Sequence, residues 1–334
     1  MSLSKRTSFE KIHYLLRPGK NIQRKMICDA LNYISRRIAI QEHTYIGFGS
    51  VYFVDFNLFH RTFGFKDMIS IEGDRDSEKR VKFNAPFSCI EVKMGYSGAV
   101  LPTLGLTGKK SIVWLDYDYG LNTSVLTDVK LVCQAVAPGS ILILTLDYSL
   151  KEFSREPEDG NKSQEMEYDE LVEAKPWVDL SSEEMFEKKA GFKPLCPLQG
   201  ALDEAYRLAL DDAVKTASGT NRMLSRQSIL QFLNFHYNDA REMMTVAFFL
   251  GDEQEANPDK INFNDLLYYR DGKDFFEIDP PKLTFKEIRS LNEHMPCDED
   301  KISKIIEDVP LSEEYVKAYR SFYKYFPTFT EVEF

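Results

Sequence analysis

Between residues 20 and 40 the apolar positions Ile22, Met26, Ile27, Ala30, Leu31, Ile34 and Ile38 recur at the three- and four-residue spacing of a helix. Bases lie on the other face, so the pattern predicts an amphipathic helix leading into a first strand. Just ahead of it, Pro18-Gly19 marks a turn and Asn21 can cap the helix. From residue 44 short apolar runs alternate with helical patterns. "TYIGF" reads as a strand and "VYFVDFNLFHRTFG" as a helix; "DMISIEGD" is a second strand and "RDSEKRVKFNA" a second helix. "SCIEVKMG" and "KSIVWLDYDYG" follow as strands, then the helix "SVLTDVKLVCQAVA", the turn "PGS" and the strand "ILILTLDYSL". Such alternation predicts a parallel, doubly wound sheet.

The rhythm breaks at 151–175, where nine acids and four bases leave little apolar content. This segment reads as a surface loop, with a lid over a site as the sharper alternative. Beyond it, 199–217 and 225–241 read as helices and 243–250 as a strand. Residues 266–278 read as strand, turn at Asp271-Gly272, and strand. The last fifty residues read as helices with an aromatic tail that packs back on the domain.

Composition narrows the class. With 43% hydrophobic and 13% aromatic residues, the 334-residue chain can bury a large core. No apolar run approaches a membrane span, and the N-terminus lacks a signal-peptide core, so a cytoplasmic protein is expected. Five cysteines (28, 89, 133, 196 and 297) show no metal-binding spacing and read as reduced thiols. The net charge of −11 is uneven. Residues 1–150 carry 19 Lys and Arg against 14 Asp and Glu, whereas 151–334 carry 23 against 39. The basic N-terminus keeps a nucleic-acid acceptor in view, but the overall charge favours a small molecule.

Candidate chemistry begins at Gly47-Phe48-Gly49-Ser50, a glycine turn between strand and helix that lets backbone approach a ligand. Tyr52 stands where a dinucleotide fingerprint has its third glycine, which argues against a pyrophosphate and hence against an NAD(P)-dependent oxidoreductase. Glu72 lies at the end of the second strand, 23 residues after Gly49, where a carboxylate can accept from both hydroxyls of a ribose. The fourth strand ends in Asp116, Tyr117, Asp118 and Tyr119, on the edge where open α/β sheets place ligands.

In the order and spacing of these motifs, residues 43–150 resemble class I S-adenosylmethionine-dependent methyltransferases, with a feel closest to the O-methyltransferase-like members. The turn "RPGKN" ahead of the domain, "MGYSG" after strand three and "APGSILIL" into strand five belong to the same likeness. The resemblance implies a mostly parallel, seven-stranded Rossmann-like sheet with helical additions at both ends. Its parts would be an N-terminal helical segment (1–42), a cofactor-binding half (43–150) and a polar loop with helical insertion (151–222). The last helix and strands of the sheet (223–280) and a helical tail (281–334) complete it.

The resemblance also implies that S-adenosylmethionine is the cofactor, with its methionine part on Gly47, Phe48, Gly49 and Ser50. Its ribose would lie on Glu72 and Gly73, its adenine near Met94 and Gly95, and its reacting end by Asp116 and Tyr117. Asp116 and Asp118 are the expected catalytic acids, with Tyr117, Tyr119, Arg17 and Lys20 on the side of the unidentified acceptor. The turn Arg17–Asn21 could equally be an anion grip or a solvated helix start. Strand four lacks the Asp/Asn-Pro-Pro-Tyr/Phe sequence of many amino-methylating enzymes, which favours an oxygen acceptor over base or other N-methylation. Asp116 and Asp147 sit where some relatives bind a divalent cation, but Tyr148 replaces the usual following Asn, and no metal is expected. His43, His60 and His236 could each act as a base but are expected to be satisfied or surface groups. A catalytically silent interaction module remains the reading outside enzymes, and oligomerisation stays open.

Overall fold

The computed structural model describes residues 17–149, 181–198, 202–221, 229–238, 241–251, 261, 263–272 and 274–327. The polar segment 151–175 lies outside them. In chain order the elements are α1 (Pro18–Ser35), β1 (Thr44–Gly47), α2 (Val54–Phe63), β2 (Met68–Glu72), α3 (Glu78–Asn84), β3 (Ile90–Met94) and α4 (Ser97–Val100). Then come β4 (Ser111–Asp116), α5 (Thr123–Ala135), β5 (Ser140–Asp147), α6 (Ser182–Ala190) and α7 (Leu202–Ser218). The chain continues through β6 (Ile229–Asn238), β7 (Glu242–Leu250), β8 (Phe276–Ile278), α8 (Phe285–Glu293), α9 (Ile302–Asp308) and α10 (Glu313–Phe322). Among the described residues no helix is long and apolar enough to cross a membrane.

The strands form one sheet in the order β3-β2-β1-β4-β5-β7-β6-β8. Strands β1 to β5 are mutually parallel, β7 runs antiparallel to both β5 and β6, and β8 is parallel to β6. The unbroken apolar runs of β1 and β5 follow from helices on both faces: all four residues of β1 and all eight of β5 are buried. On one face α5, α6 and α7 bring Val129, Phe186, Tyr206 and Leu210 against Leu115, Leu142 and Leu144. On the other, α1 and α2 bring Ile27, Leu31, Phe56 and Phe59 against Tyr45, Trp114 and Ile143. Helices α8 to α10 enclose a satellite cluster around Leu291, Ile305, Val316 and Tyr319. The aromatic tail does pack back: Tyr325 donates to Asp29 of α1 at 2.7 Å.

Four expectations change. The sheet has eight strands rather than seven, because Phe276–Ile278 adds to β6. The stretch expected as a helix over 225–241 contains β6 instead. Seven of its ten residues are buried, and a register shift between Gln231 and Leu233 breaks the two-residue alternation that would have marked a strand. Residues 266–270 do not form a strand; a 3-10 turn at Phe263–Asp265 precedes them, so the antiparallel pair is β6 with β7. Finally, the bases of α1 are not all solvated. Lys20 and Arg24, one turn apart, are 2% and 5% exposed.

That orientation of α1 is fixed by a buried polar knot. The Gln23 amide donates to the hydroxyls of Thr145 on β5 and Thr245 on β7, and the Trp114 indole of β4 donates to Thr145 at 3.0 Å. With Gln23 pinned to the middle of the sheet, Lys20 and Arg24 are carried to its carboxyl edge.

Candidate active site

Over the carboxyl ends of β1, β2, β3 and β4 lies a cavity of about 840 Å³, within the size range of small-molecule sites. Its wall joins the glycine turn (Phe48, Gly49, Ser50), the end of β2 (Glu72, Gly73), Gly95 and the end of β4 (Asp116 to Tyr119). Residues 70 positions apart in sequence, Gly49 and Tyr119, are thus folded into one concave surface by the parallel strand order. Of the expected site residues, Gly47, Met94, Lys20 and Arg17 do not line this cavity. Gly47 lies behind the turn, Met94 faces Glu72 as its strand partner, and Arg17 caps α1 from the N-terminal side.

The turn is tighter and longer than expected. Helix α2 starts at Val54, not at 51, and the chain between them holds Ser50 and Phe53 at φ of 45° and 47°. Side chains in that left-handed region cost about 1 kcal/mol or more each, strain of the kind found at ligand sites. Gly49 is required by packing, since a Cβ there would come within 2.6 Å of the Ser70 hydroxyl. Its amide donates to that same hydroxyl at 3.1 Å, so this amide is turned inward, away from a ligand.

Glu72 closes β2 with its carboxylate on the cavity wall, where Oε1 accepts from the Asp74 amide at 3.1 Å. Burial pushes its carboxyl above the ordinary range, and the nearby charges of Asp74 and Asp118 push the same way. Gly95 follows β3 at φ +146° and donates its amide to the Glu72 carbonyl at 2.8 Å, which a larger residue could do only with strain. Beside it Tyr96, 79% exposed, stands over Gly73. The backbone there is open on one side and walled by an aromatic ring on the other.

At the end of β4 the four predicted residues part company. Asp116 is held by the buried Lys20 ammonium, 2.5 Å from Oδ1. Tyr117 is buried and donates to Asp128 at 2.7 Å, with its ring edge-on to Phe48. Asp118 and Tyr119 are exposed at the cavity mouth. Burial pushes the Tyr119 phenol up to about 12, so it keeps its proton at neutral pH.

Two groups at the glycine turn were not anticipated. Asp55, in the first turn of α2, is 8% exposed and accepts a short hydrogen bond from the Tyr45 hydroxyl. Burial raises its carboxyl pKa, opposed by the positive charge of Arg24. Arg24 lines the cavity, and its Nε and Nη1 have no hydrogen-bond partner among the described residues. A signal for Arg24 existed: Lys20, Arg24, Ile27 and Leu31 share one helical stripe, and a cation on an apolar stripe needs a buried partner.

The other half of the same edge is closed. Asp147 accepts from the Ser149 amide and hydroxyl at 2.8 and 2.6 Å and pairs with Arg241 at 3.1 Å. Away from this edge, near the amino ends of the strands, His43 and His60 bond the backbone carbonyls of Gly139 and Phe65. His236 lies flat on Phe275 at 4.0 Å and beside Tyr148 at 4.7 Å; burial lowers its pKa to about 4. All five cysteines are free thiols.

No curated protein matches the chain. Among solved structures it is similar to an arsenic(III) S-adenosylmethionine methyltransferase from Chlamydomonas reinhardtii, at 10% identity over 70% of this chain and 73% of that one (TM-score 0.38). It is also similar to an O-methyltransferase family protein from Burkholderia thailandensis, at 10% identity over 70% and 58% (TM-score 0.33). A third is the S-adenosylmethionine-dependent methyltransferase SibL in its apo form, at 9% identity over 67% and 56% (TM-score 0.34). The chain spans little more than half the length of the last two. The stronger finding is at the level of sequence: a family model described as "Putative O-methyltransferase" matches residues 12–334, nearly the full length, and the chain belongs to that family.

Proposed function

We propose that the protein transfers a methyl group from S-adenosylmethionine to an oxygen of a small acceptor in the cavity over β1 to β4. The observation that carries this reading is the convergence of four features on one cavity: the strained glycine turn, Glu72, the Gly95 bend and the acidic end of β4. The donor set suits the cofactor. Glu72 offers a carboxylate to a ribose diol, Gly95 and Tyr96 offer a flat slot for a purine, and the turn at Gly49 leaves room for an amino-acid chain. The sulfonium supplies an already activated methyl group, leaving the protein to orient the acceptor and remove its proton.

For that proton we assign Asp118. Asp116 already binds the Lys20 ammonium through Oδ1, and the phenols of Tyr117 and Tyr119 are held protonated. The Asp118 carboxylate would accept the hydroxyl proton as the oxygen lone pair forms the new bond to carbon, with Tyr119 walling the acceptor at the mouth. Phe48, Tyr117 and Tyr119 favour a flat, partly apolar acceptor. Free thiols suit a reducing compartment, and the cytoplasm is the proposed place of action.

The test is transfer of label from methyl-labelled S-adenosylmethionine to a panel of phenols and carboxylic acids. On the acceptor that takes label, Asp118→Asn is expected to lower turnover about a hundredfold or more while leaving cofactor affinity within about twofold. Full turnover in that variant would remove Asp118 from the role.

A further inference from the structure

Within this cofactor reading, one buried charge has no occupation in the chemistry. Arg24 is 5% exposed, it lines the cavity, and neither Nε nor Nη1 finds a partner among the described residues. A guanidinium withdrawn from water with two of its nitrogens unmet is costly, whereas the same guanidinium facing a carboxylate makes a strong, two-pronged contact. Its position is informative too. Arg24 acts electrostatically on Asp55 and on Tyr45, and Asp55 lies directly behind the glycine turn, where a Cβ on Gly47 would come within 3.4 Å of its Oδ2. A cation that must be met and a buried carboxylate therefore flank the same turn. That pair is complementary to a zwitterion, an α-carboxylate beside an α-ammonium.

We propose that Arg24 and Asp55 form the receptor for the amino-acid end of the cofactor, with Arg24 holding the α-carboxylate and Asp55 the α-ammonium. This assignment rests on the reading of the cavity as an S-adenosylmethionine site. It gives helix α1, which precedes the parallel strands, a direct part in cofactor recognition. The Gln23 knot to Thr145 and Thr245 holds Arg24 at the edge. The acceptor is the other anion that Arg24 could meet. It is disfavoured because Arg24 acts on the groups behind the turn, while Asp118 and Tyr119 stand at the mouth.

The test compares two nucleosides that share the adenosine and thioether but differ in the amino-acid end: S-adenosylhomocysteine and 5′-methylthioadenosine. Binding of each to the full chain is measured by calorimetry, for the wild type, Arg24→Met and Arg24→Lys. The wild type is expected to prefer S-adenosylhomocysteine. Arg24→Met is expected to lose about 100-fold in affinity for it with 5′-methylthioadenosine unchanged, and Arg24→Lys to recover part of the loss. Because Arg24 also opposes the burial of the Asp55 carboxylate, ligand-free Arg24→Met is expected to melt somewhat lower than the wild type, and its unchanged affinity for 5′-methylthioadenosine is what separates a binding loss from misfolding. Unchanged affinity for S-adenosylhomocysteine, or an equal loss for both nucleosides, overturns the assignment. A wild type that binds neither nucleoside removes the cofactor reading itself, and the assignment with it.

Discussion

The carboxyl edge of the sheet carries chemistry-bearing side chains along its whole width, but its two halves treat them oppositely. Over β5 and β6, Asp147 is met by Ser149 and Arg241, and His236 is stacked between Tyr148 and Phe275. Over β1 to β4, Glu72 and Asp118 border an open cavity and Arg24 lacks partners for two of its nitrogens among the described residues. Residue type alone therefore does not locate a site. A buried carboxylate with its oxygens occupied stabilises a fold; a buried group left unmet waits for a ligand.

The Lys20–Asp116 pair stands on the border of this contrast, since it lies in the open half but is closed on itself. Lys20→Met strips a half-buried carboxylate of its cation and is expected to cost about 2 kcal/mol of stability, less than for a fully buried pair, read by urea denaturation. A variant as stable as the wild type would show the pair to be dispensable, and would move Asp116 from the closed kind to the open kind.

On the closed side the contrast sharpens with pH. Folding lowers the His236 pKa from 6.5 to about 4, so the folded state resists protonation that the unfolded chain accepts. Stability is therefore full above the unfolded value and is lost as pH falls from about 6.5 towards 4. At pH 5 the loss from this one group is about 2 kcal/mol relative to pH 7. His236→Phe keeps the stack on Phe275 and removes the titration, so its stability is expected to fall less over that interval. Parallel pH dependences for wild type and variant would contradict the burial of a neutral imidazole there.

Much of the fold was legible because β1, β2, β4 and β5 are short apolar runs separated by helices of regular period, the pattern that a sheet covered on both faces imposes. The edge beyond β5 was not. In β6 a register shift and burial on both faces erase alternation, and Phe232 and Phe235 fall at a spacing that also suits a helix. Strand β8 is three residues long and exists only because β6 offers it an edge. On the cavity wall, the presence of Gly49, Glu72 and Asp118 was legible from their positions at strand ends. Asp55 was hidden because an acid in the first turn of a helix needs no further reason. Arg24 was hidden because a base on a helix reads as solvated, until the Gln23 knot turns that face inward.

The central claim is that the open half of the edge binds an adenosyl cofactor through Glu72. Calorimetric titration of S-adenosylhomocysteine into the wild type and Glu72→Ala, with NAD as the control ligand, tests it most directly. The predicted result is one-to-one binding to the wild type, a loss of about tenfold or more in the variant, and no heat with NAD. Equal affinity in the two proteins, or binding of NAD alone, would contradict it.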